Sequence, residues 1–189
     1  MQINDANLVF RGSQPSAGKQ KQIDAIILHH RAGNGDVQSI HQQHYQQGWW
    51  GIGYHYYIRK DGSIWRGRPE KYVGSHAGSS NDYNKHSIGI CFEGNFETEQ
   101  MTDAQVRAGR ELIEDIERRY KIYEILRHSD IAKTACPGKN FRFDELMACN
   151  DIAEYVQVQI VSDVVEAVKI DGKVYIPFDN IGFSVKEAK

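Results

Sequence analysis

The sequence predicts an α/β fold: a central mixed β-sheet flanked by helices, with a small C-terminal β-hairpin extension. Strand-length runs, Asp24–His30 and Ser87–Phe92, alternate with longer stretches whose apolar residues recur at helical spacing, the pattern of a sheet covered by helices. A hairpin signal interrupts them: Gly53–Arg59 and Ile64–Gly67 flank Asp61-Gly62, a dipeptide suited to a tight antiparallel turn. The pattern changes near Cys149, which divides the chain into a main domain over residues 1–148 and an extension over residues 149–189.

Each element has a local reason. Residues 1–22 are polar and contain Gly12, Pro15 and Gly18, so an irregular arm leads into the strand that ends in His29-His30. After Gly33-Asn34-Gly35, Asp36 caps a helix that carries Val37, Ile40, His44 and Tyr45 at helical spacing and ends at Gly48. Trp49-Trp50 begin the return to the hairpin, and Val73–Asn84 reads as a loop-rich segment before the strand at residues 87–93. Thr102-Asp103-Ala104-Gln105 is a capping box, followed by Val106, Gly109, Ile113, Ile116 and Tyr120 on one face, so that helix runs to about Tyr120. Ile122–Leu126 forms a short strand that delivers His128, and Phe143–Ala148 adds a helical turn or two. In the extension, residues 152–160 fit a helical face and an alternating strand equally, whereas Val168–Pro177 reads as a hairpin about Asp171-Gly172.

Composition excludes several classes. With 23 basic and 25 acidic residues the formal net charge is −2, so no global positive field argues for nucleic acid. No apolar run approaches the roughly 20 residues that a bilayer requires. Met1–Asp5 has neither the basic region nor the apolar stretch of a signal peptide, so the expectation is a protein made and kept in the cytoplasm until something else releases it. The three cysteines, Cys91, Cys136 and Cys149, are an odd number, which argues against a disulfide framework.

The segment Arg127–Gly138 looks like half of a metal site. It sets His128 and Cys136 eight positions apart in a polar, interrupted stretch, and Pro137-Gly138 turns the chain just after the thiol. An imidazole nitrogen and a thiolate are ligands that Zn²⁺ accepts at about 2.0 and 2.3 Å. The best third ligand is upstream, at the C-terminal tip of the strand that ends in His29 and His30, where open α/β sheets place their sites. Three protein ligands leave one position open, as in catalytic zinc.

Several separate stretches then resemble one family. Ile26–His30, Gly53–Tyr56, Asp61-Gly62, Gly67-Arg68, Val73–Ala77, Asn84 with Ser87–Ile90, and His128 through Cys136-Pro137-Gly138 occur in the order seen in zinc-dependent N-acetylmuramoyl-L-alanine amidases. This is the type shared by bacteriophage amidase lysozymes and animal peptidoglycan recognition proteins. The similarity covers about residues 22–147 and leaves the extension aside.

The resemblance implies a fold of that type, Zn²⁺ as cofactor, and peptidoglycan as partner and substrate. His29, His128 and Cys136 would be the zinc ligands, and Tyr54 would sit where the family places a catalytic tyrosine near the metal. Two residues before the cysteine, phage members often carry lysine and catalytic animal members threonine; here Thr134 has Lys133 beside it, which leaves both as candidates to assist the oxyanion. His76 and Asn84 are expected to contact substrate. The implied reaction is hydrolysis of the amide between the lactyl group of N-acetylmuramic acid and L-alanine of the stem peptide, by a phage or prophage endolysin whose residues 1–148 form the catalytic domain. Two other enzyme-free readings stand beside it: a muropeptide-binding module that does not cut, and a protein in which zinc closed by His30 or Asp130 only holds the fold. A cytosolic muropeptide-recycling amidase is a further alternative, although that branch typically has a carboxylate as its third ligand. Oligomeric state is left open.

Overall fold

A computed structural model of the chain describes residues 1–79 and 82–148 in full, together with backbone strands at 154–160, 163–170 and 173–175. The chain separates into two units, Met1–Met147 and Ala148–Lys189.

The first unit is built on a six-stranded mixed sheet. Its strands are β1 (Ile3–Asn4), β2 (Ala25–His30), β3 (Tyr56–Ile58), β4 (Ile64–Arg66), β5 (Ser87–Phe92) and β6 (Glu124–Arg127), in the spatial order β1-β4-β3-β5-β2-β6. β2 lies between β5 and β6 and is parallel to both, whereas β3 and β4 pair antiparallel across the expected Asp61-Gly62 turn. Every residue of β2 and β5 is buried, because helices or loops cover both faces, and this is why these strands read as continuous runs instead of alternating patterns.

Helix α1 (Val37–Gln46) and helix α2 (Asp103–Arg119) cover opposite faces. Ile26, Leu28, Ile88, Ile90 and Phe92 pack with Val106, Leu112, Ile113 and Ile116 of α2. Val37 and Ile40 of α1 pack with Ile52, Tyr57 and Cys91 on the other side. Burying one such aliphatic or aromatic side chain contributes roughly 1.5–3 kcal/mol, so the α2 face carries most of this unit's cohesion. Both helix starts follow the sequence signals. Asp36 accepts from the Ser39 amide, and Thr102 with Gln105 forms the reciprocal capping box, which satisfies amide groups that have no partner within the helix.

Three boundaries differ from expectation. Within residues 1–22 a two-residue strand, β1, pairs parallel with β4; so short an edge strand leaves no periodic signal. The strand expected over 53–59 shrinks to Tyr56–Ile58, because Gly53 accepts from the Ser75 amide and donates to His44 Nδ1 instead of joining a ladder. The strand expected at 122–126 lies at Glu124–Arg127, followed at once by α3 (His128–Ile131), and α4 (Phe143–Met147) ends the unit.

The second unit is a three-stranded antiparallel sheet, β7 (Glu154–Ile160), β8 (Asp163–Ile170) and β9 (Lys173–Tyr175), in the order β7-β8-β9. The turn of the expected hairpin, Asp171-Gly172, lies outside the described residues, as does Cys149.

Candidate metal centre

The parallel register of the central strands assembles the site. β2 carries His29 one residue beyond Leu28, which pairs with Arg127, so His128 at the start of α3 comes level with His29. Their ring centroids are 4.6 Å apart. The third donor arrives from the loop after α3: Cys136 Sγ lies 3.8 Å from His29 Nδ1 and receives a hydrogen bond of 3.4 Å from the His30 amide. Gly138 makes this approach possible. Its φ is +102°, and a Cβ there would stand 2.5 Å from the Phe96 carbonyl carbon, so the Cys136-Pro137-Gly138 turn lies directly on the Phe96-Glu97 backbone.

Donor atoms of His29, His128 and Cys136 all lie within 4.8 Å of one another, the one such group of three or more among the described residues. Ligands bound tetrahedrally at 2.0–2.3 Å stand roughly 3.3–3.8 Å apart, so small side-chain adjustments suffice for this set to hold Zn²⁺. The protonation states also fit. Burial, reinforced by the neighbouring His128, His30 and His55, pushes the His29 imidazole well below its ordinary range. Burial and then His30 lower His128 as well, so both rings offer lone pairs at neutral pH. Burial raises the Cys136 thiol to about 11, against the opposing effect of the His30 amide; metal binding must therefore displace its proton.

Tyr54 stands beside this cluster, its ring centroid 5.1 Å from that of His29. Burial, followed by Cys91 and Cys136, raises its hydroxyl well above the usual tyrosine range, so it stays a hydrogen-bond donor. Two histidines of α1 hold the chain that leads to it: His41 Nδ1 accepts from the Ile52 amide and His44 Nδ1 from the Gly53 amide. Thr134 is exposed, and its hydroxyl oxygen accepts from the Cys136 amide at 3.2 Å, which leaves the hydroxyl hydrogen available. Lys133 is exposed.

His76 is 6 % exposed, with its Nδ1 3.0 Å from His29 Nε2. This buried position against the His29 ring is not legible from the Ser-His-Ala loop. Asn84 holds that loop: its Oδ1 accepts from the His76 and Ala77 amides at 2.8 and 2.9 Å, and its Nδ2 donates to the Gly78 carbonyl. His30 is buried and accepts from the Phe96 amide through Nδ1, while Asp130 is engaged by the Arg127 amide and guanidinium. Neither is placed among the clustered donors, so a closed four-ligand site has no support from them. His55 accepts from the Gly89 amide and contacts the Tyr72 carbonyl, and His86 pairs with Asp24, both structural arrangements.

No helix among the described residues is long and apolar enough to cross a membrane. A family model of N-acetylmuramoyl-L-alanine amidases matches residues 19–139. The endolysin of Escherichia phage T7 is 35% identical over 129 residues, which cover 64% of this chain and 83% of that protein. Peptidoglycan-recognition protein SC2 of Drosophila melanogaster is 35% identical over 127 residues, covering 60% of this chain and 67% of that protein. Among solved structures, the N-acetylmuramoyl-L-alanine amidase LysC from Clostridium intestinale URNW aligns with a TM-score of 0.70 at 40% identity, over 77% of this chain and 95% of that one.

Proposed function

Because the chain belongs to the N-acetylmuramoyl-L-alanine amidase family, we propose that it hydrolyses, in a zinc-dependent manner, the amide between the lactyl carbonyl of N-acetylmuramic acid and the amine of L-alanine in peptidoglycan, as an endolysin of phage type. The observation that carries this reading is the convergence of His29, His128 and Cys136 beside the Tyr54 hydroxyl.

His29, through Nδ1, with His128 and Cys136 would hold the ion. When bound, Zn²⁺ supplies Lewis acidity, which makes water a nucleophile near neutral pH and polarises the amide carbonyl. The protein's own groups do the rest. As water adds to the carbonyl carbon, negative charge grows on its oxygen, and the protonated Tyr54 hydroxyl donates to that oxygen. Thr134 is the stronger second donor, because its hydroxyl hydrogen is not used in the bond from the Cys136 amide, and Lys133, its neighbour in the chain, is the alternative. The C–N bond then breaks as nitrogen takes up a proton, which leaves a lactyl carboxylate and a free L-alanine amine.

The test is digestion of purified murein sacculi, followed by mass spectrometry. We expect stem peptides with free N-terminal L-alanine and glycan strands with intact lactyl groups; a strong chelator should stop their appearance and added zinc restore it. Cleavage at another bond, or the same products from metal-free protein, would overturn the reading. Sacculi that bind the zinc-loaded protein but release no new amine would favour a recognition module. The endolysin role predicts that cells producing the protein keep their walls until the inner membrane is permeabilised; lysis without any membrane lesion would refute it.

A further inference from the structure

One buried group at the site has no part in the proposed chemistry: the His76 imidazole. Its Nδ1 lies 3.0 Å from His29 Nε2, and the two rings meet edge to face, 80° apart. The opposite nitrogen of His29, Nδ1, faces Cys136 Sγ. A ligating Nδ1 needs its lone pair free, so the single proton of a neutral His29 must sit on Nε2, where it can only be donated to His76.

The surroundings of His76 are shaped around this ring. A Cβ on Gly89 would stand 2.5 Å from its Cγ and Cδ2, and a Cβ on Gly74 equally close to its Cδ2. The Asn84 side chain grips the backbone amides of His76 and Ala77. The far nitrogen, His76 Nε2, is buried and has no hydrogen-bond partner among the described residues. A buried orphan costs free energy. The ring is therefore not held for what Nε2 can do, and Nδ1 is its working atom.

We propose that His76 is a positioning residue for the metal centre: it accepts the Nε2 proton of His29, and so fixes the tautomer and ring plane that present Nδ1 to zinc. The inference rests on the ligand set assigned above. Second partners of metal-bound histidines are commonly carboxylates or backbone carbonyls. Here the acceptor is a neutral imidazole, which orients the ligand without adding negative charge beside the ion.

Three substitutions separate this role from simple packing. Asparagine reproduces the place of the imidazole Nδ1 with an amide oxygen, whereas glutamine reaches the place of Nε2 and phenylalanine fills the space with no acceptor. Zinc affinity is read by competition with a chromophoric chelator at fixed pH, the site's geometry by the visible spectrum of the Co²⁺-loaded protein, and folding by thermal melting of the metal-free protein. We expect His76→Phe and His76→Gln to weaken zinc 10- to 100-fold and to change the Co²⁺ spectrum, while His76→Asn stays within several-fold of the parent. Should His76→Phe fail to fold, the asparagine and glutamine pair decides the matter. Parent-like affinity and spectrum in His76→Gln, or equal losses in the asparagine and glutamine variants, would overturn the proposal. Cys136→Ala is the control for the underlying site: if it binds zinc as the parent does, or if the parent binds none, the ligand assignment falls and takes this inference with it. Loss in Cys136→Ala with no effect of any His76 change refutes the positioning role alone.

Discussion

Replacing Cys136 with aspartate gives the most direct test of the proposed metal site. In the metal-free chain burial keeps the Cys136 thiol at about 11, so at pH 7 only about one molecule in ten thousand carries the thiolate. His29 and His128 are both shifted below their ordinary value and are already neutral. Zinc binding should therefore expel one proton from the sulfur and none from the two imidazoles, and affinity should rise about tenfold per pH unit from this group alone. An aspartate in the same place, with an ordinary pKa near 3.9, has no proton to lose over that range. Calorimetric titrations between pH 7 and 8.5, in buffers of different ionisation enthalpy, count protons released per zinc. Any proton lost from groups other than residue 136 is common to both proteins, so the difference isolates the thiol. We expect the parent to release about one proton more than Cys136→Asp. Equal release would mean that the sulfur does not bind as a newly formed thiolate and, with tight binding in both proteins, would remove Cys136 from the ligand set.

Four further outcomes follow from the same geometry. Tyr54→Phe should bind zinc normally and lose about 10²- to 10³-fold in turnover, since only the hydroxyl donor is removed; initial rates on sacculi with matched zinc content check this. Thr134→Ala should reduce that rate more than Lys133→Ala does, because the threonine hydroxyl is anchored at the cysteine turn, and the reverse order would assign the oxyanion to the lysine. Gly138→Ala forces a side chain into a φ of +102° and against the Phe96 backbone, so it should lower unfolding free energy by at least about 1 kcal/mol and weaken zinc together with it, as denaturant midpoints and zinc titration will report. His55 is buried and its pKa lowered to about 4, chiefly by burial, so its neutral form is favoured in the fold. Stability of the metal-free chain should accordingly be complete above pH 6.5 and fall between there and pH 4, as the unfolded state takes up a proton first, by roughly 1.4 kcal/mol per pH unit for each such histidine; urea midpoints that stay flat across this window would contradict it.

What the sequence displayed and what it hid divide along physical lines. β2 and α2 were legible because burial on both faces gives an unbroken apolar run, and because the Thr102–Gln105 box marks a helix start by chemistry local to four residues. Two of the candidate ligands, His128 and Cys136, are legible as residue types on an interrupted segment and the third as the His29-His30 strand tip; the choice of His29 over His30 is carried by the family resemblance. His76 is not legible. Its loop position gives no hint of which way the ring points, and the features that aim it inward are two glycines and an asparagine spread over residues 74–89, each unremarkable alone. The same holds for His41 and His44, whose ring nitrogens take the place of a strand partner for Ile52 and Gly53.

The site's existence follows from register more than from any single contact. In β2 the residues Ile26, Leu28 and His30 face α2 or the loop at Phe96, and Ile27 and His29 face the other way, so shifting β2 by one residue against its neighbours would exchange His29 for His30. The observed register sets His29 opposite Cys91 in β5, and level with the first residue after β6. Because β6 ends at Arg127, His128 opens a helix at that level and can turn its ring toward His29 without competing for a ladder bond. Cys136 needs no strand: the His30 amide, freed by the end of β6, points at its sulfur. A parallel strand that outruns its neighbour by two residues thus provides both a candidate ligand, His29, and the backbone donor that seats the Cys136 sulfur.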